Sequence, residues 1–254
     1  RKSSTVLRIL YKFTNMGNGN AKAQISQQQQ QPQRGPVTFY SSVFSPPCRG
    51  LWMVLKASGV DFILKETDIL SGEHKKPEYL AVNSLGTVPA LKDGNLCIGE
   101  SSRAIMQYVC NRYAAGSALS LYPKDPAARA VVDQVLYFDT SLITAVYKYT
   151  KIAEVLFKHE KHLELDGKDE MKKKLLSLEN FLSKNRYLAG DHMTIADLSV
   201  LANLVVLDIC HFDDYEDFPK LKEWMKTMKA LPYFEACCGK HNKAMTEMYQ
   251  KVLH

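Results

Sequence analysis

The run Tyr40-Ser41-Ser42-Val43-Phe44-Ser45-Pro46-Pro47-Cys48-Arg49-Gly50 sets a hydroxyl, a thiol and a guanidinium within five residues, 45 to 49. Val37 to Ser41 is β-branched and aromatic and reads as a strand, while Trp52, Val54, Leu55 and Val60 give the apolar positions of a following helix. Ser45 then falls at the helix N-cap, with Pro46 at the first helical position, where a missing N–H costs nothing. First-turn N–H groups and the positive end of the helix dipole would face whatever lies beside Ser45. The chemistry this junction suits is therefore the holding of an anion, such as an ionised thiol. The plainer alternative is that Ser45 only caps the helix.

The elements that must position Ser45 follow in order. Asp61 to Glu66 reads as a second short strand, followed by a turn at Gly72 and a Lys-rich helical piece from His74 to Leu80. Thr87 to Lys92 and Asn95 to Ile98 read as strands around the hairpin dipeptide Asp93-Gly94, and a helix runs from about Ser101 to Tyr113. The order β-α-β-α-β-β-α is that of a thioredoxin-like domain. There, Ser45-Pro-Pro-Cys48 stands at the place of a redox Cys-x-x-Cys whose first Cys has become Ser, so the thiol must come from elsewhere. Taken singly, Val88-Pro89 reads as an ordinary turn, Glu100-Ser101 as a helix cap and His74 as a solvated side chain.

Beyond the extended Leu121-Tyr122-Pro123, the pattern is helical throughout. Asp125-Pro126 is an N-cap with a first-position proline, and Val131, Val135, Phe138, Leu142 and Ala145 repeat at three or four residues. Leu175, Leu178, Phe181 and Leu182 do the same. Thr194-Ile195-Ala196-Asp197 opens a very apolar helix, expected from Leu198 to Ile209, as a capping box. The expected architecture is α+β: a thioredoxin-like domain over 37–115, then an all-helical domain over 124–250. A cleft above Ser45 would lie between them. Phe44, Thr144, Tyr147 and Phe234 are its candidate lining for an apolar molecule, with ordinary core packing as the alternative.

Charge separates the first segment from the rest. Residues 1–36 carry six of the 33 Lys and Arg and no acid, which leaves 27 basic against 27 acidic residues in the remaining 218. That balance argues against a nucleic-acid surface on the folded part. Gln27 to Gln31 lies in a polar stretch expected to be disordered. Arg1 to Asn15, apolar and basic without acid, resembles a mitochondrial-type transit peptide, against the alternative that the chain proper starts at Met16. No apolar run reaches the ~18 residues of a membrane span. The six cysteines show no metal-ligand spacing and read as reduced thiols of an intracellular protein.

The run Asn83-Ser84-Leu85-Gly86-Thr87-Val88-Pro89-Ala90-Leu91-Lys92-Asp93-Gly94, with Glu100-Ser101 eleven residues past the proline, resembles the glutathione-binding half of cytosolic glutathione transferases. Ser45 aligns the chain with their serine-type theta, delta and epsilon classes, and the likeness covers residues 37 to 250. The resemblance implies a cytoplasmic, homodimeric enzyme that joins glutathione to apolar electrophiles, with Ser45 donating to the thiolate. It also implies a cis Val88-Pro89 turn that pairs with the cysteinyl unit. Glu100 would receive the γ-glutamyl ammonium, Ser101 the carboxylate beside it, and His74 the glycyl end. Two departures stand out. Gly86 replaces the His usual in delta and epsilon members, and the familiar Glu-Ser-Arg is Glu100-Ser101-Ser102-Arg103. The extra residue turns Arg103, also of the glutathione-binding set, about 100° around its helix. Tyr40 as thiolate donor, Cys48 as the reactive thiol of a glutathione-dependent oxidoreductase, and a non-catalytic ligand carrier or interaction domain are the competing readings.

Overall fold

A computed structural model describes residues 35–158, 165–212 and 214–253. The expected disordered extension and transit segment, up to residue 34, lie outside the described residues. Strand β1 (Val37–Ser41) pairs in parallel with β2 (Phe62–Glu66) and antiparallel with β3 (Ala90–Asp93), which pairs antiparallel with β4 (Leu96–Ile98). The sheet order is β2-β1-β3-β4. Helix α1 (Pro46–Ala57) makes the crossover from β1 to β2, a short helix α2 (Pro77–Leu80) precedes β3, and α3 (Ser102–Tyr113) follows β4. This is the thioredoxin-like order.

Alternation along β1 sends Val37 and Phe39 into the main core with Leu51, Leu55 and Ile105, and Tyr40 to the opposite face against Tyr79. β3 begins at Ala90, three residues later than the sequence suggests. Pro89 has no N–H for a ladder, and the Thr87 carbonyl is taken by the side chains of Tyr79 and Asn83 at 2.5 and 2.8 Å.

The helical part consists of α4 (Pro126–Thr150), α5 (Lys168–Leu182), α6 (Ile195–Leu204), α7 (Pro219–Lys229) and α8 (Lys240–Leu253). All ten residues of α6 are buried, which is why its sequence is apolar on every face. Asp197 inside it is fully buried and accepts from the backbone N–H groups of Leu188 and Thr194, at 2.9 and 2.8 Å, and from Trp224 Nε1 at 3.0 Å. The single long helix expected to Ile209 instead ends at Leu204 and tightens into a 3₁₀ turn, Leu207–Cys210. Asn242 of α8 donates to the Val205 carbonyl at 3.1 Å and so satisfies an end that a continuing helix would have used. Helix α1 packs between α3 and α6. Gly50 makes that approach possible, because a Cβ there would meet Met106 at 3.0 Å and Ala202 at 3.3 Å.

Candidate functional site

Ser45 has the extended backbone of an N-cap, φ −102° and ψ 111°, yet its hydroxyl accepts no backbone N–H from the first turn of α1. Pro46 and Pro47 have no N–H, and the N–H groups of Cys48 and Arg49 both return to the Ser45 carbonyl, at 3.0 and 3.2 Å. The expected free first-turn N–H groups are therefore not there. What the junction offers an anion is the Ser45 hydroxyl and the positive end of α1.

Cys48 lies fully buried beneath this turn, where Ser42 N–H donates to its sulfur at 3.4 Å. Burial pushes its thiol up to about 11, against the lowering effect of Ser45, Ser42 and Ser41 around it. A protonated, inaccessible sulfur does not suit thiol exchange. The Tyr40 ring packs edge-on against Tyr79, centroids 5.7 Å apart, with Lys65 Nζ 5.1 Å from its centre.

Three turns meet beside this junction. The Val88–Pro89 bond is cis, and among the described residues neither the Val88 N–H nor its carbonyl is hydrogen-bonded. Thr87 Oγ1 donates to Glu100 Oε2 at 2.8 Å, which joins this turn to the Glu100–Ser101 corner. Glu100 is exposed with φ +66°, and Ser101 caps α3 by accepting Ala104 N–H at 3.3 Å. Lys75 Nζ donates to the Gly86 carbonyl at 2.7 Å, which brings in the 3₁₀ turn that carries His74. His74 is half-buried, its Nδ1 has no partner among the described residues, and burial followed by the Lys75 charge holds its imidazole below the ordinary range. Tyr79 connects these turns to the Ser45 junction: its hydroxyl reaches Thr87, and burial first, then Cys48, push its phenol well up.

Arg103 points across to the helical part. Its Nε and a terminal nitrogen donate to Asp139 Oδ2 at 3.0 and 2.6 Å, and this fully buried carboxylate also accepts from Ser199 and Asn203 at 2.6 and 2.7 Å. Of the four lining candidates, Tyr147 comes close enough to Cys48 and Arg49 that, after burial, their charges act on its phenol, which is held well above its usual range. Phe44 and Phe234 are half-buried against the core. Phe234 opens the π-helical turn Glu235–Gly239, which packs on α1. Thr144 is exposed and donates back to the Thr140 carbonyl at 3.0 Å.

Sequence reasoning missed Lys75, Thr87 and the role of Arg49. Arg49 is buried, donates to the Val43 carbonyl at 3.0 Å, and reaches Asn242 and Met245 of α8. Such partners lie too far along the chain for local pattern to reveal. Among the described residues no group of His, Cys, Asp and Glu is arranged to hold a metal ion, and no helix is long and apolar enough to cross a membrane.

Residues 39–117 match the family model of the glutathione S-transferase N-terminal domain, and residues 136–232 that of the C-terminal domain. A delta-class glutathione transferase of Nilaparvata lugens is 32% identical, with a TM-score of 0.77 over 85% of this chain and 100% of that one. An epsilon-class glutathione S-transferase of the housefly Musca domestica is 33% identical, with a TM-score of 0.77 over 85% and 98% of the two chains. A glutathione transferase homologue of Drosophila mojavensis with bound glutathione is 29% identical, with a TM-score of 0.78 over 85% and 97%.

Proposed function

The chain belongs to the glutathione S-transferase family, and on that footing we propose that it conjugates glutathione to apolar electrophiles with Ser45 stabilising the sulfur as a thiolate. A free thiol ionises near pH ~8.5, so favouring its anion by two further pH units requires about 2.7 kcal/mol. A hydroxyl donating to a charged acceptor contributes about 1.5–3 kcal/mol and the positive end of a helix about 0.3–1 kcal/mol, which together suffice. The observation that carries this reading is that the Ser45 hydroxyl, at an N-cap, accepts no N–H from the turn it would cap, and its hydrogen bonding already favours the ionised form of the sulfur beside it, that of Cys48.

In this reading the cysteinyl unit of glutathione pairs with the N–H and carbonyl of Val88 beside Pro89. Glu100 receives the ammonium, Ser101 the neighbouring carboxylate, and His74 the glycyl end. Arg103 adds charge from the first turn of α3 while bound to Asp139. The electrophile lies among Phe44, Thr144, Tyr147 and Phe234. The thiol proton leaves to solvent, the sulfur lone pair forms the new carbon–sulfur bond, and the leaving group departs with its bonding electrons. The working form is a cytoplasmic homodimer.

The test is the ultraviolet absorbance of bound thiolate titrated against pH in wild type and Ser45→Ala. The variant should move the midpoint up by one to two units and cut turnover of an aryl halide by about ten- to a hundredfold, with the glutathione KM much less affected. An unmoved midpoint overturns the role of Ser45. Retention on immobilised glutathione without turnover favours a ligand carrier instead.

A further inference from the structure

We infer that Thr87 is the positioning residue that aims the Glu100 carboxylate at the ammonium of glutathione, through a one-way chain of hydrogen bonds starting at Asn83. The inference rests on the reading that Glu100 receives that ammonium. Asn83 is buried, and its Oδ1 accepts Leu85 N–H at 3.2 Å, which fixes the amide so that Nδ2 faces Thr87. Nδ2 donates to the Thr87 carbonyl at 2.8 Å and to Oγ1 at 3.0 Å. An amide nitrogen can only donate, so the Thr87 hydroxyl accepts on that side and its single proton must go the other way. It goes to Glu100 Oε2, 2.8 Å off. The other oxygen, Oε1, has no partner among the described residues and is the one presented to a ligand.

Two backbone features fit this device. At Gly99 a Cβ would lie 2.3 Å from Asn83 Cγ, so any side chain there would displace the amide that starts the chain. Glu100 holds φ +66°, a region disfavoured for a residue with a Cβ, and such outliers persist where the surroundings hold them. Here the surroundings are the Ser101 cap on one side and the Thr87 bond on the other. Losing the Thr87 proton would leave Glu100 with the same charge but a free rotor, so its effect belongs to substrate binding rather than to the sulfur.

The experiment compares wild type, Thr87→Val, Thr87→Ser and Glu100→Gln with two thiols: glutathione, and its desamino analogue in which a glutaryl group replaces the γ-glutamyl unit and the ammonium is missing. Thr87→Val should raise the glutathione KM by about five- to tenfold with kcat little changed, and Thr87→Ser should restore it. The analogue should show no difference between wild type and Thr87→Val. Equal KM changes for both thiols, or no change for glutathione, overturn the inference. If Glu100→Gln separates the two thiols and Thr87→Val does not, only the Thr87 chain falls. If Glu100→Gln fails to separate them, the assignment of Glu100 falls, and the inference with it.

Discussion

Gly86 has φ +59°, and a Cβ there would come within 2.9 Å of the His74 carbonyl oxygen, 3.0 Å of Lys75 Nζ and 3.1 Å of Leu80 Cδ2. The first of these is backbone and cannot swing aside. The departure from the delta and epsilon pattern at this position is therefore built into its surroundings, with the Lys75 ammonium, bonded to the Gly86 carbonyl, filling the space where a side chain would start. Restoring the histidine should harm rather than help: Gly86→His is expected to cost about 1–3 kcal/mol and lower the melting temperature, with no gain in glutathione KM. A higher melting temperature together with a lower KM would show that the turn relaxes around the new side chain. The substitution itself was visible in the sequence. Its reason was not, because it lies in the His74 carbonyl and in a lysine eleven residues away that reads as one of several solvated cations.

Among the elements, α1 and its strand were legible because period, proline position and N-cap chemistry all agree there, and these are local properties. The break between α6 and the Leu207–Cys210 turn was not, because it depends on Asn242, 37 residues beyond the carbonyl it meets. The same α8 residue meets Arg49, whose guanidinium ties the Val43 carbonyl to the C-terminal helix. Arg49 thus links the loop that presents Ser45 to the element that closes the helical part over it. Arg49→Leu removes these bonds while keeping apolar bulk; among the described residues α8 still has the bonds Asn242–Val205, Tyr249–Thr150 and Gln250–His211 to hold it. Hydrogen exchange should then show the amides of 242–250 opening at least about tenfold faster, equivalent to ~1.4 kcal/mol, while those of β1 and β3 stay protected. Unchanged exchange in α8 would mean that its hold comes from packing of Met245 and Tyr249 alone.

At the scale of the whole molecule, five of the six thiols are buried: Cys48, Cys110, Cys210, Cys237 and Cys238. Burial pushes Cys48 and Cys110 up to about 11 and the other three to about 12. In the unfolded chain each ionises near ~8.5. Between that value and the folded ones the unfolded chain has lost protons that the folded chain retains, so stability must fall as pH rises. The contribution is fully present below about pH 8 and is lost progressively toward 11–12, each thiol approaching a limiting slope of ~1.4 kcal/mol per pH unit. Up to about pH 9.5 tyrosines are largely protonated in both states, so the thiols dominate the slope in that window. The urea midpoint should therefore drop between pH 7.5 and 9.5. Cys110→Ala, at a position away from Ser45, should flatten the drop even though it lowers stability at pH 7.5 by removing a buried group. A midpoint independent of pH across that window would mean that these sulfurs are open to water. If they are closed, every thiol packed in this core stays protonated near neutrality, and the ionised sulfur that Ser45 is proposed to hold must arrive with the substrate.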